Sequence, residues 1–232
     1  MYSFESRIRY SETGSDGNLD YSSLLNYFQD CSTFQSNDLG YGVEYLYNKG
    51  LAWVVNYWQI DIIKYPHLGD KVTIGTFPYE FKGFMGFRNF FMQDENGEYL
   101  AKANSIWTLL NMNTGRPSRP DQDLMDAFVL SEKLDMEYLS RKISVPEDMK
   151  KADEIEIKRY HLDTNKHVNN GQFVRIAMEA YGEERAPKRV RAEYKKQVHL
   201  GDVLVPYICE DETGIIVDLR DINDNSCCVV MF

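Results

Sequence analysis

The chain has 232 residues, 43% of them hydrophobic, which is enough to bury the core of one large or two small globular domains. A formal net charge of −10 argues against a nucleic-acid-binding protein, because such proteins neutralise phosphates with a basic surface. No apolar run reaches the ~18 residues of a membrane span, and the four cysteines are too few for a disulfide framework. We therefore expect a globular protein without a membrane span, located in a reducing cytoplasm.

The first half of the chain predicts one helix followed by strands. After a short strand candidate at residues 4–10, residues 21–39 predict a helix with Leu24, Tyr27 and Phe28 on one face. The stretches that follow are rich in β-branched and aromatic residues, which is typical of strands. They are residues 52–63, 70–81, 84–93 and 99–111.

The second half predicts the same order in a shorter form. A strand candidate at residues 153–160 precedes a helix that begins near Asn170, buries Phe173 and Ile176, and ends at Gly182. Four strand candidates follow at residues 188–198, 202–209, 214–219 and 227–232. Between the two halves, the charged residues 121–150 predict a connecting segment that is part helical.

An internal repeat supports this duplicated layout. The motif His-Leu-Gly-Asp at residues 67–70 recurs at residues 199–202, and in both halves it joins the first two strands after the helix. One helix wrapped by a mostly antiparallel sheet, formed twice, is an α+β architecture. We therefore predict an N-terminal copy at residues 1–118, a linker at residues 119–152 and a C-terminal copy at residues 153–232.

The candidate active site lies just before the second helix, in a polar run at residues 161–170. Asp163, Asn165 and His167 alternate along this run, so in an extended segment their side chains would share one face. A carboxylate, an amide and an imidazole supply a base, a hydrogen-bond donor and an orienting group. At ~3.3 Å per residue, Asp163 and His167 would lie about 13 Å apart. The segment must therefore curl for both to reach one substrate group.

The start of the second helix offers a further element of a site. Backbone N–H groups of Val168, Asn169 and Asn170 would lie at the helix N-terminus, where unpaired donors could stabilise an oxyanion. The alternative interpretation of the whole polar run is an ordinary loop whose side chains cap the helix.

The repeat also provides an internal comparison for the site. Where the second copy has His167 the first copy has Asn18, and where the second has Asp163 the first has Gly14. Catalysis would therefore belong to the second copy, and the first copy would provide a framework and a binding groove.

Several motifs are similar to those of one enzyme family. They are Gly17-Asn18-Leu19, Leu39-Gly40-Tyr41-Gly42, Tyr65-Pro66-His67-Leu68-Gly69-Asp70, Arg88 and Trp107 in the first half, and Asp163-x-Asn165-x-His167-Val168-Asn169-Asn170 in the second. On these residues and the duplicated layout, the chain resembles the acyl-acyl-carrier-protein (acyl-ACP) thioesterases, in a bacterial form similar to the plant enzymes. The resemblance implies a tandem hot-dog fold, with acyl-chain binding in the N-terminal copy and catalysis in the C-terminal copy.

The resemblance also implies an activity, the hydrolysis of fatty acyl-ACP to free fatty acid and carrier protein, which terminates fatty acid synthesis. Asp163, Asn165 and His167 would be catalytic, with no metal and no other cofactor, and Asp163 would act either as general base or as nucleophile. Gln197 stands where the family usually has a further acidic residue, and Val198 stands where plant members often have cysteine. Because Gln197 can hold a water molecule but cannot accept its proton, the base would be Asp163.

A binding partner is suggested by basic residues that lie close together in the sequence. They are Lys188, Arg189, Arg191, Lys195 and Lys196. An acidic acyl carrier protein could dock on them, although a solvated strand face predicts the same pattern. Two other functions remain open: an acyl-CoA thioesterase and, because of Gln197, a non-catalytic acyl-thioester-binding module. A homodimer is compatible with each, and His161 and His199 are interpreted as ordinary loop or strand-end residues.

Overall fold

The structure, a computed structural model, describes residues 1–182, 186–212 and 214–232. It forms two compact units, Met1–Leu139 and Ser140–Phe232. Each unit contains one long helix and an antiparallel sheet, which confirms the predicted α+β architecture. The division between the units falls after Leu139, within the segment predicted as a linker.

The first unit is built on a sheet of long antiparallel strands. Its elements are β1 (Tyr2–Arg7), α1 (Tyr21–Asp38), α2 (Val43–Asn48), β2 (Leu51–Ile62), β3 (Lys71–Lys82), β4 (Met85–Asp94), β5 (Tyr99–Asn111), β6 (Arg116–Pro117) and α3 (Gln122–Ala127). Within this unit the strand order is β1-β3-β4-β5-β2, and β6 pairs with the end of β5. The four long strands lie within one residue of their predicted bounds. The short helix α2 was not predicted, because six residues are too few to show a helical period.

Helix α1 packs on this sheet through the predicted face. Asp20 caps its N-terminus by accepting a hydrogen bond from the Ser23 N–H (2.9 Å), and Leu24, Tyr27, Phe28 and Cys31 are buried as predicted. The ring of Phe28 contacts those of Trp58 and Phe90, whose own centroids are 4.7 Å apart. The first unit therefore has an aromatic core between helix and sheet.

The second unit repeats this plan with shorter strands. Its elements are β7 (Lys150–Lys151), β8 (Ile155–Glu156), α4 (Asn170–Tyr181), β9 (Arg189–Tyr194), β10 (Val203–Asp211), β11 (Gly214–Arg220) and β12 (Ser226–Met231). Within this unit the strand order is β9-β12-β11-β10-β7, and β8 pairs with another part of β10. The prediction of a strand over residues 153–160 was wrong beyond β8. A 3₁₀ turn, Arg159–His161, replaces it because the Nδ1 of His161 accepts the Lys158 N–H (3.0 Å).

Helix α4 begins and ends as its sequence predicts. Asn169 is the N-cap, and its Oδ1 accepts the Gly171 N–H at 2.8 Å. Phe173 and Ile176 are buried against the sheet, and Gly182 ends the helix at φ +81°, a conformation that favours glycine.

The internal repeat is reproduced at the level of single hydrogen bonds. In the first unit, the Leu19 N–H donates to the Pro66 carbonyl and the His67 N–H donates to Oδ2 of Asp70. In the second unit, the Val168 N–H donates to the Val198 carbonyl (2.9 Å), and the His199 N–H donates to Oδ2 of Asp202 (2.8 Å). The turn before each long helix is thus held against the His-Leu-Gly-Asp turn of its own unit.

Among the described residues, no helix combines the length and the apolar character that crossing a membrane would require.

The turn before α4 contains a backbone strain that the first copy avoids. Lys166 has φ +64°, whereas the corresponding residue of the first unit is Gly17, at φ +76°. A side chain in this conformation costs about 1 kcal/mol relative to glycine.

We therefore expect Lys166→Gly to raise the free energy of unfolding by about 0.5–1 kcal/mol in urea denaturation. The control is Thr164→Gly, outside the positive-φ region, which should lower the same free energy; equal effects of the two changes would contradict the prediction.

Candidate functional site

The predicted catalytic residues lie on one tight turn rather than on an extended segment. The Asp163 N–H donates to the His167 carbonyl (2.8 Å), and the Lys166 N–H donates to the Asp163 carbonyl (3.1 Å). Leu162 and Val168 pair across the base of this turn. The extended arrangement was therefore wrong, and the predicted curl is confirmed.

The carboxylate of Asp163 stabilises the turn on which it sits. Its Oδ1 accepts the N–H groups of Asn165 (2.8 Å) and His167 (3.3 Å), as in an Asx-type turn. Its Oδ2 has no hydrogen bond to any residue that the structure describes. One oxygen thus holds the turn, and the other remains available to a substrate or a water molecule.

His167 is half-buried beside a second histidine, His199. The two rings meet edge to face with their centroids 4.7 Å apart. Burial lowers the pKa of the His167 imidazole below its usual value, His199 lowers it further, and Asp163 opposes both. His167 is therefore neutral at pH 7 and can accept a proton or donate a hydrogen bond.

The backbone donors predicted for an oxyanion are partly occupied. The Val168 N–H donates to the Val198 carbonyl (2.9 Å), and the Asn169 N–H donates to the His161 carbonyl (2.8 Å). The prediction that these two amides serve an oxyanion was therefore wrong, because they hold the turn to the rest of the unit. The exposed side chain of Asn165 offers another donor.

The segment after β9 places Gln197 and His199 on the same side of the chain. Gln197 is exposed, Val198 is buried and His199 is exposed, which is the alternation of an extended segment. The side chain of Gln197 has no hydrogen bond to a described residue. The Val198 carbonyl accepts the Val168 N–H, so this segment lies directly beside the turn.

His199 is the residue of the site that the sequence analysis missed. Its interpretation as an ordinary residue rested on the matching His67, and both do share the same backbone hydrogen bond. The difference lies across the bridge, because His67 pairs with Asn18 whereas His199 pairs with His167. A comparison of the residues that the two histidines face in the two copies would have revealed the role of His199 in the candidate site.

The predicted basic patch does not form a single cluster. Lys188 and Lys195 lie just before and just after β9, so they are roughly 23 Å apart at ~3.3 Å per residue. The Nη2 of Arg191 donates to the Ser140 carbonyl (2.7 Å). Only Lys195 and Lys196 lie next to the segment that carries Gln197 and His199.

Part of the positive charge near the site is also neutralised. Lys196 Nζ is 2.6 Å from Oδ2 of Asp221, and this contact raises the pKa of the lysine. Lys195 Nζ is 4.0 Å from a carboxylate oxygen of Glu193, a contact that leaves its charge largely available.

Three of the four cysteines are poor candidates for a nucleophile. Burial raises the pKa of Cys31 to about 12 and that of Cys227 to about 11, and it raises the pKa of Cys228 well above its usual value. Thiolates are therefore strongly disfavoured at these positions. No group of three or more His, Cys, Asp or Glu side chains within the described ranges is arranged to hold a metal ion.

The family models of known proteins match both units. The acyl-ACP thioesterase N-terminal domain matches residues 1–128, and the acyl-ACP thioesterase C-terminal domain matches residues 144–227. A chloroplastic acyl-[acyl-carrier-protein] hydrolase of Cuphea viscosissima is 30% identical over 89% of this chain and 54% of its own length. The chloroplastic palmitoyl-acyl carrier protein thioesterase of Arabidopsis thaliana is 29% identical, over 85% of this chain and 52% of its own length. The chain thus spans about half the length of these curated relatives.

Solved structures show the same fold. An acyl-ACP thioesterase from Bacteroides thetaiotaomicron superimposes with a TM-score of 0.88 at 21% identity, over 98% of this chain and 95% of that one. The 12:0-ACP thioesterase from Umbellularia californica has a TM-score of 0.81 at 21% identity, with the same coverage of both chains. A 1,4-dihydroxy-2-naphthoyl-CoA thioesterase from Synechocystis matches 54% of this chain and 93% of its own, with a TM-score of 0.51. The tandem hot-dog fold is therefore confirmed, and the match of the N-terminal family model to more than half of the residues shows that the chain belongs to the acyl-ACP thioesterase family.

Proposed function

We propose that this protein hydrolyses fatty acyl-ACP to free fatty acid and carrier protein, and so terminates fatty acid synthesis. The observation that carries the proposal is the turn before α4, which brings Asp163, Asn165 and a neutral His167 within five residues of backbone. The family supports the same reaction.

The chemistry of the turn suits thioester hydrolysis. Oδ2 of Asp163 either takes a proton from the attacking water or attacks the thioester carbon itself to form a mixed anhydride. The amide of Asn165 and the imidazole of His167 would polarise the carbonyl and stabilise its developing negative charge. The C–S bond then breaks, the thiol of the carrier's pantetheine arm leaves with a proton, and water supplies the second oxygen of the fatty acid.

The two units would divide the work. All candidate titratable groups of the site lie in the second unit, whereas the corresponding turn of the first unit has Gly14 and Asn18 in place of Asp163 and His167. We therefore propose that residues 153–232 are catalytic and that residues 1–118 provide framework and acyl-chain binding.

Two alternatives keep specific support. An acyl-CoA thioesterase would use the same turn, because CoA carries the same pantetheine arm without a protein to dock. A non-catalytic acyl-thioester-binding module is favoured by Gln197, which supplies no carboxylate beside the turn. The cytoplasmic location and the homodimer stay predictions, and the plant relatives are chloroplastic by name.

The first test is thiol release from carrier protein charged with saturated acyl chains of increasing length, beside the matching acyl-CoAs. We expect faster release from the carrier, and a loss of at least ~10²-fold in His167→Ala, as for removal of one donor that stabilises the developing oxyanion. Asn18→Ala is the matched control, since Asn18 occupies the same turn position in the first unit. Faster release from CoA would favour the acyl-CoA alternative, and full activity of His167→Ala would refute the site.

Gln197 distinguishes a weak enzyme from a binding module. We expect Gln197→Glu to raise the kcat of thioester hydrolysis by about ten-fold or more, because it adds a carboxylate base beside the turn. Gln197→Ala serves as the control and should lower kcat only slightly. Binding of acylated carrier without hydrolysis, in both the parent and Gln197→Glu, would establish the binding module instead.

Carrier docking is tested at the two ends of β9. Lys195→Glu, next to the site, should raise the KM for acyl-ACP about three- to ten-fold at low salt, because it repels an acidic carrier. Hydrolysis of a small acyl-pantetheine thioester should be unchanged. Lys188→Glu, at the far end of the strand, is the matched control. Equal effects of both variants, or an equal effect on the small substrate, would argue against docking at Lys195.

A further inference from the structure

We propose that His199 is a positioning residue for His167, which holds the His167 imidazole in place during thioester hydrolysis. The proposal rests on the proposed function, since it assigns a role within the same site. Neither the family resemblance nor the motif at residues 161–170 includes His199.

The first support is geometric. His167 and His199 face each other as an antiparallel bridge pair, so their backbones hold the two side chains side by side. The ring planes are inclined by 70°, and the ring centroids are 4.7 Å apart. An edge-to-face contact at this distance restricts the rotation of the His167 ring.

His199 is itself held in position by Asp202. Its backbone N–H donates to Oδ2 of Asp202 (2.8 Å), and its Nδ1 lies 3.7 Å from the same oxygen. The backbone of His199 is therefore held by Asp202, next to His167.

The first unit supplies a comparison that separates the backbone role from the ring role. His67 donates its N–H to Oδ2 of Asp70 at the same 2.8 Å, and it pairs across the bridge with Asn18. The backbone hydrogen bond that holds the His-Leu-Gly-Asp turn is thus present in both units. The contact between two imidazoles occurs only where the candidate catalytic turn occurs.

The charges around His167 determine the sign of the effect. Burial and His199 both lower the pKa of His167, whereas Asp163 raises it, and Asp202 faces His199 from the other side. A protonated His199 repels a second proton on His167. Removing His199 should therefore raise the pKa of His167 and reduce its neutral fraction at low pH, because both the repulsion and part of the burial are lost.

The experiment compares His199→Gln with the matched control His67→Gln. Ring-proton NMR gives the pKa of His167 in each protein, and the pH profile of kcat/KM for acyl-ACP gives the acidic limb. Two unit charges 4.7 Å apart in water correspond to a shift of ~0.6 pH unit. We expect His199→Gln to raise the pKa of His167 by about this amount and to move the acidic limb of the profile to higher pH by the same amount. At a given pH on that limb, kcat/KM then falls about four-fold.

The alkaline plateau of kcat/KM should fall as well, because the His167 ring is held less firmly, whereas His67→Gln should alter neither the pKa of His167 nor the profile. If His199 were merely structural, its replacement would lower the rate equally at every pH, or lower the melting temperature, and the acidic limb would not move. His199→Asn is prepared in parallel, so that a folding defect of one variant leaves the other to decide. An unchanged pKa of His167 would overturn the inference. A raised pKa in a protein that hydrolyses no thioester would support the coupling of the two rings, and the proposed function would then be what fails.

Discussion

The site depends on the hydrogen bonds that attach the turn before α4 to the rest of its unit. Residues 163–167 belong to no strand and no helix, so their conformation is maintained by the Val168 N–H on the Val198 carbonyl and the Asn169 N–H on the His161 carbonyl. Each buried amide needs such a partner, since an unpaired one costs about 1–3 kcal/mol. These two bonds place His167 against His199 before any substrate arrives.

The same bonds restrict the chemistry that the turn can perform. Because the amides of Val168 and Asn169 are engaged, the groups available to a thioester are mostly side chains: Oδ2 of Asp163, the amide of Asn165 and the imidazole of His167. Rate enhancement would then come from preorganised side chains, among them an imidazole whose pKa burial lowers, rather than from a helix N-terminus. Gln197, on the same side as His199, would add a hydrogen bond but no base.

The two units show that one backbone frame can be kept while the chemistry changes. Gly14 and Asn18 in the first unit form the same turn hydrogen bond as Asp163 and His167 in the second, at 2.9 Å and 2.8 Å. The frame therefore does not require catalytic side chains. What the first unit carries instead is a set of large buried rings under α1.

The amino-acid sequence by itself determined the duplication, both long helices, the four long strands of the first unit and the residues of the polar turn. These features depend on hydrophobic period, capping residues and motifs, all of which are local. Only the tertiary structure decided the following features: the curl of residues 161–170, the end of the strand within 153–160, the partners of the Val168 and Asn169 amides, the spread of the basic residues and the contact of His199 with His167. Each of these depends on a partner distant in sequence, such as Val198 for Val168 or His199 for His167, and no local pattern encodes which partner the folded chain will bring into contact.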